Sequence, residues 1–320
     1  MTTYTQWNHD TTAEEVIRAL ADKVKGRTFL ITGTSARGLG ANTATALARA
    51  SPAHLILVSR NKSKVDPVID EIRKIDSSVK VTFVACDLSD LDSVRHAADE
   101  INGNSEISKI DAVINNAGIM AIQEYTLDKR GVEMTLSACH VGHFLLTNLI
   151  MPKIKAAGPG ARVVNLTSLG HQIGPFRFGD HNFSGGKAYD PWSAYGQAKT
   201  ANVLFTKGLA GRGVLSYAVH PGSIYETALA DHLEMKAFDD IAEVARANGN
   251  PDWSIHPPKT TSQGVSTTLA AALRPDIEGD SGAYMSDCQP EATFEWATKE
   301  EYVEKLWTVS EELVGQKFDL

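Results

Sequence analysis

The sequence predicts an α/β fold: a doubly wound parallel sheet with helices on both faces, in one domain. Three observations predict it. Short apolar segments alternate six times with helical stretches between Arg27 and Val219. The apolar segments are continuous rather than every second residue, as strands buried on both faces require. The first strand runs into a glycine-rich turn, Gly33-Thr34-Ser35-Ala36-Arg37-Gly38-Leu39-Gly40. At a first strand-helix junction such a turn lets backbone approach a pyrophosphate at a helix N-terminus.

Taken in order, residues 11–25 read as a helix, because Thr12 and Glu15 form a capping box and Val16, Ala19, Leu20 and Val24 share one apolar stripe. Residues 1–26 are accordingly set apart as an N-terminal helical extension. Strands are expected at 27–32, 54–59, 80–85, 111–114, 161–166 and 214–219. Helices are expected from the glycine turn to Ala50, at 62–75 and 90–102, from about 129 to 157, and around Tyr195. No repeat or linker divides 27–320, which is read as one domain with substrate-side segments at 169–190 and 223–260.

Composition narrows the function classes. The 320 residues are 42% apolar and 22% charged, ordinary for a globular protein. A net charge of −8 without a long basic run argues against a nucleic-acid partner. The start, Met1-Thr2-Thr3-Tyr4, lacks a signal pattern, and the apolar stretch 141–151 is interrupted by His143, Thr147 and Asn148, so no membrane span is expected. Cys86, Cys139 and Cys288 show no C-x-x-C spacing, which fits a reducing, cytoplasmic setting. The sequons at Asn61, Asn165 and Asn182 are read as chance in such a chain. His140 and His143 share a helical face but have no third ligand at suitable spacing, so no metal site is expected.

Chemistry concentrates at Tyr195 and Lys199. Four apart on a helix, they lie on one face a turn apart. A nearby cation favours the phenolate and is expected to pull the Tyr195 pKa down toward the working range. The cofactor is read from the end of the second strand. An NAD site expects a carboxylate about 20 residues past the glycines. Here Ser59-Arg60-Asn61-Lys62 has no acid before Asp66, whereas Arg60 and Arg37 suit a 2′-phosphate, so NADP(H) is expected. The group Phe176, Phe178, Trp192, Tyr225, Leu229, Leu233, Met235 and Phe238 supports an apolar substrate.

Tyr195-x-x-x-Lys199, the preceding Ser168, the glycine turn, Asn115-Asn116-Ala117-Gly118 and Pro221-Gly222 together resemble the short-chain dehydrogenase/reductase family over nearly the whole chain. Gly142-His143-Phe144-Leu145-Leu146-Thr147-Asn148 and Ala201-Asn202-Val203-Leu204-Phe205-Thr206 look most like the branch of retinol dehydrogenases and WW-domain-containing oxidoreductases, its fungal members in particular. So does the tail from Leu306 to Gly315. The resemblance implies a Rossmann-type sheet and hydride transfer to a lipophilic ketone or aldehyde, or from the corresponding alcohol. It assigns Tyr195 as acid/base, Lys199 as its pKa partner and a ribose ligand, and Ser168 as a hydrogen-bond partner of the substrate oxygen. It places Gly33, Ser35, Arg37, Gly38, Leu39, Gly40, Arg60, Asp87, Leu88, Asn116, Ala117, Gly118, Pro221, Gly222, Ile224 and Thr227 at the cofactor. Helices that carry this Tyr often pair subunits in the family, so the resemblance allows a homodimer and leaves oligomeric state open. A non-redox enzyme such as a cyclase or isomerase, and a regulatory NADP(H)-binding protein, are the alternatives.

Three departures from the family pattern bear on this. Four residues, not three, separate Gly33 from Gly38. Cys139 occupies the usual Asn position before His140, where a thiol substitutes poorly for an amide in a proton relay. Either Cys139 is a small buried residue with water filling the gap, or the relay is broken. Glu226 falls where the family has Thr, with Thr227 next; an acid beside a pyrophosphate is unfavourable unless it points away.

Overall fold

A computed structural model describes residues 4–320, apart from the side chain of Met235; the polar start at Met1, Thr2 and Thr3 lies outside the described residues. The strands are β1 (Thr28–Thr32), β2 (His54–Ser59), β3 (Lys80–Ala85), β4 (Ala112–Asn115), β5 (Arg162–Leu166), β6 (Leu215–Val219), β7 (Tyr284–Ser286) and β8 (Gln289–Glu291). They form one sheet in the order β3-β2-β1-β4-β5-β6-β7-β8, parallel as far as β7, with β8 antiparallel at the edge. Chain direction across the sheet reverses between β1 and β4, which leaves a crevice at the carboxyl ends of those strands.

The helices are α1 (Ala13–Ala19), α2 (Leu39–Ala48), α3 (Asp66–Ile75), α4 (Leu91–Gly103), α5 (Met134–Leu136), α6 (Gly142–Leu149), α7 (Met151–Lys155), α8 (Pro191–Gly211), α9 (Ile241–Ala247), α10 (Thr261–Leu273) and α11 (Glu300–Val314). Successive strand residues supply opposite core layers, as pleating dictates. Phe29 and Ile31 of β1 pack with Leu47 of α2 and Leu269 of α10, whereas Leu30 packs in the layer of Phe144, Leu204 and Trp307. No helix among the described residues is long and apolar enough to cross a membrane.

The capping box of α1 forms between Thr12 and Glu15. This helix is shorter than expected and ends in a 3-10 turn over Ala21–Lys23; Val16, Leu20 and Val24 of the expected stripe are buried in the first core layer with Ile17, whereas Ala19 is exposed.

The expected helix from 129 to 157 is corrected to several pieces. Asp128 folds the chain into a turn by accepting the N–H groups of Arg130 and Val132 through Oδ1. Helix begins only after Glu133, whose carboxylate caps Thr135 and Leu136. A π-turn over Ser137–Val141 then separates α5 from α6, and Pro152 opens α7. Two strands went unforeseen because β7 and β8 have three residues each, too few for a periodic signal. Their connecting residues, Asp287 and Cys288, take φ of 49° and 65°, a left-handed pair that suits a tight hairpin.

Helix α11 covers the outer side of α8. Trp307 packs against Phe205 and over Gly208, where a Cβ would come within 2.9 Å of the indole. The guanidinium of Arg212 lies 3.8 Å over the Trp307 ring and pairs with Glu304. The helix expected to pair subunits thus carries α11 of the same chain on this side.

Candidate active site

A cleft of about 720 Å³ opens at the carboxyl ends of the strands and reaches from the glycine turn to Trp253. Close backbone contact shapes its first wall. Gly33 has φ 71°, and a Cβ there would sit 2.7 Å from Cα of Ala117. A Cβ on Gly40 would meet Nδ2 of Asn116 and the Gly33 carbonyl oxygen, each at 2.6 Å. Gly38 begins α2 with no side-chain cap, so the first-turn N–H groups stay available at a cleft that Gly38 and Leu39 line. Glycines that no side chain could replace, together with uncapped helix donors, fit a dinucleotide diphosphate.

The extra residue of the turn is absorbed at Arg37, which takes φ 64° while the Gly38 N–H closes onto the Ser35 carbonyl at 3.1 Å. Ser35, Arg60, Asp87, Leu88, Asn116, Ala117 and Gly118 line the cleft as expected from their positions. Two expected residues do not. Gly40 packs behind the turn, and Arg37 sends its guanidinium outward to Asp231. The only cation the glycine turn contributes is thus already engaged by a carboxylate. Asn116 is held as a brace: its Nδ2 donates to the carbonyls of Thr32 and Gly33 at 2.8 and 3.2 Å.

Ser168, Tyr195 and Lys199 come together in the same wall. Ser168 follows β5, and its Oγ accepts the Gly170 N–H at 3.0 Å, which leaves the hydroxyl hydrogen free to donate. Tyr195 and Lys199 are both 5% exposed. The Lys199 Nζ lies 5.5 Å from the phenol ring centroid and donates to the Leu166 carbonyl at 3.2 Å. The expected lowering of the Tyr195 pKa is not found in the protein alone. Burial raises it, and the opposing pull of Lys199 and Ser168 does not overcome that desolvation.

Cys139 is fully buried in the π-turn. Its Sγ donates to the Ile119 carbonyl at 3.3 Å and accepts the Ile119 N–H at 3.4 Å. A Cβ on Gly118 would lie 3.4 Å from both Cys139 Sγ and Lys199 Nζ, so Gly118 packs against both. Burial pushes the thiol pKa up, against the pull of Lys199. This is a neutral thiol satisfied by the backbone N–H and C=O of one residue, Ile119.

His140 and His143 diverge. Nε2 of His140 meets Ser310 Oγ at 2.8 Å. Thr32 Oγ1 accepts the N–H groups of Asn116 and Ala117, each at 2.9 Å, and so donates its own hydrogen to His143 Nε2 at 2.8 Å. The other ring nitrogen, Nδ1, then donates to the Cys139 carbonyl at 3.0 Å. Burial lowers the His143 pKa to about 4, consistent with this neutral tautomer.

On the far wall, Pro221, Gly222, Ile224 and Thr227 line the cleft. The carboxylate of Glu226 turns away to the start of α10, accepting from Thr261 N–H at 2.8 Å and Thr261 Oγ1 at 2.6 Å. A shift of one residue therefore brings Thr227 to the site. The remaining end is apolar: Trp192, Tyr225, Leu229 and Phe238 line it, joined by Ile119, Met120, Ile122, Ile241, Trp253 and Ile255. The sequence offered no signal for Ile119 to Ile122, a coil after Gly118. Phe176 and Phe178 pack toward Tyr302 instead, with Phe178 5.2 Å from its ring.

A doubly wound sheet with a glycine-turn cleft and a Ser-Tyr-Lys cluster defines the class. A profile described as short chain dehydrogenase matches residues 27–237, and the chain belongs to that family. Within it, the chain is similar to retinol dehydrogenase 12 of Mus musculus, at 36% identity over 303 residues, 93% of this chain and 89% of that protein. It is 34% identical to retinol dehydrogenase 11 of Homo sapiens, over 93% of this chain and 88% of that one. A crystal structure of an uncharacterized protein from Mycobacterium paratuberculosis aligns with a TM-score of 0.67 at 31% identity, covering 92% of this chain and 96% of the other.

Proposed function

We infer that the protein is an NADP(H)-dependent oxidoreductase that reduces a lipophilic ketone or aldehyde, or oxidises the corresponding alcohol. The observation that carries this is one cleft with Arg60 and no acid at the end of β2, an apolar far end, and Ser168 with Tyr195 between them. The glycine turn and the α2 N-terminus would hold the diphosphate, Arg60 the 2′-phosphate, Asp87 and Leu88 the adenine side, and Lys199 the ribose. When bound, the nicotinamide supplies or accepts the hydride.

The chain's own groups handle the oxygen. Ser168 donates its free hydroxyl hydrogen to the substrate oxygen and fixes its position. Tyr195 gives that oxygen a proton as negative charge grows on it. Burial keeps the phenol protonated until then, and Lys199 favours the phenolate that the transfer leaves behind. Cys139 belongs to the Ile119 turn in this reading, and Thr227 rather than Glu226 faces the cofactor.

The test is oxidation of NADPH and of NADH by the purified protein across a panel of apolar aldehydes and ketones. NADPH turnover that falls by about a hundredfold or more in Tyr195→Phe is expected. Tight NADPH binding with no turnover by the unaltered protein would overturn the reading in favour of a non-redox or regulatory role.

A further inference from the structure

His220 carries two hydrogen bonds that the steps above do not use. It is buried immediately after β6, one position before Pro221. Its Nδ1 accepts the N–H of Leu169 at 3.1 Å and that of Gly222 at 3.4 Å. Leu169 directly follows Ser168 on the loop after β5, and Gly222 lines the cleft from the loop after β6. One ring nitrogen thus ties together two neighbouring loops, one carrying the hydroxyl assigned to the substrate oxygen and the other a wall assigned to the cofactor.

Accepting through Nδ1 places the imidazole proton on Nε2. That Nε2–H is buried and has no hydrogen-bond partner among the described residues. The neighbouring His256 ring stands edge-on, with centroids 5.5 Å apart. A buried donor left unpaired costs stability, so packing alone does not account for an imidazole here. The Nδ1 acceptor is what the residue contributes. Burial, together with His256, His171 and Lys259 nearby, disfavours the imidazolium, which is the form that could not accept.

We propose that His220 is a positioning residue that sets the spacing between Ser168 and the Pro221-Gly222 loop, and so aligns the substrate oxygen with the hydride-bearing face of the cofactor. The proposal rests on the oxidoreductase reading above.

The discriminating set is His220→Asn, His220→Leu and His220→Gln, each alone and with Ser168→Ala, assayed for kcat, KM and NADPH affinity in the full chain. An Asn at this position can present Oδ1 near where Nδ1 sits, so His220→Asn is expected to keep kcat within about threefold. His220→Leu should lower kcat by about tenfold or more with a smaller change in NADPH affinity, because misplacement of a reacting group acts on the chemical step. His220→Gln reaches a methylene too far and should behave likewise, serving if the Leu variant does not fold. In the Ser168→Ala background the Leu or Gln change should have almost no further effect, the non-additivity of groups acting as a unit. Equal losses with and without Ser168, or loss in His220→Asn, overturn the proposal alone. Absence of turnover by the unaltered protein overturns the parent reading and the proposal with it.

Discussion

Arg37 grips Asp231 with both terminal nitrogens, Nη1 to Oδ2 at 3.0 Å and Nη2 to Oδ1 at 3.2 Å, which fastens the glycine turn to the segment that follows β6. Both side chains are more than half exposed, 64% and 53%, so the pair itself contributes little to stability. Under the proposed function it bears on cofactor choice, because Arg60 is then the arginine left to meet a 2′-phosphate at the end of β2. Arg60→Ala is expected to weaken NADPH binding by roughly tenfold or more and NADH binding much less. Arg37→Ala should change either by less than about threefold. Titration of both cofactors against both variants checks the ranking, and a larger loss in Arg37→Ala would reverse it.

Gly170 sits against the phenol. A Cβ at this position would fall 2.5 Å from Cε1 of Tyr195, a distance no methyl can occupy. Gly170→Ala is therefore expected to push the ring or the turn aside and to lower kcat by about a hundredfold, the scale of a misplaced reacting group. NADPH affinity should be retained. Steady-state rates beside a binding titration read both, and an unchanged kcat would show that the ring tolerates the shift.

Buried histidines give the fold a direction of pH dependence. Burial holds His143 and His171 at about 4 in the folded chain, against 6.5 for an ordinary histidine. Between those values the unfolded chain binds protons that the folded chain does not, so stability rises with pH there. Their contribution is complete above 6.5 and is lost progressively as pH falls toward about 4. Urea midpoints should drop between pH 7 and pH 5, and the drop should shrink in His143→Gln, which cannot titrate. An equal drop in both would assign the effect to other groups.

Because α11 occupies the outer side of α8, the chain is expected to behave in solution as a 34.5 kDa particle. Light scattering gives the mass directly. A dimer cross-linked through Lys207→Cys, a position on α8 that is only half-buried, would mean that the helix pairs subunits after all.

How much of this was legible in the sequence depended on the range of the interaction concerned. The continuous apolar run at 54–59 became β2 over the same residues, because burial on both faces of a parallel sheet is written into nearly every position, and 80–85 became the half-buried edge strand β3. The glycine turn, Ser168, Tyr195, Lys199 and Asn116 could be located because each lies at a fixed offset from a strand end or on one helix face. Arg37 could not be resolved that way. Its place in the turn suited a phosphate, but Asp231 lies 194 positions further along and claims it in space. The Tyr195 pKa went the other way for a similar reason: the charge of Lys199 is visible four residues on, whereas the desolvation comes from packing by several distant segments. Glu226 and Thr227 were separable only once Thr261 was seen to hold the carboxylate.

The π-turn over Ser137–Val141 has a consequence for how this helix tolerates insertions and deletions. A residue added to or removed from an α-helix rotates everything beyond it by about 100°. The π-turn takes up one residue more than regular winding would, so α5 and α6 keep the mutual orientation of a continuous helix in spite of it. Removing Ala138 would let the segment close into regular helix with His143 still facing Thr32, and the change would fall on the turn itself, where Cys139 holds Ile119. Such a deletion is expected to leave helical content and core composition intact, with its damage confined to that contact.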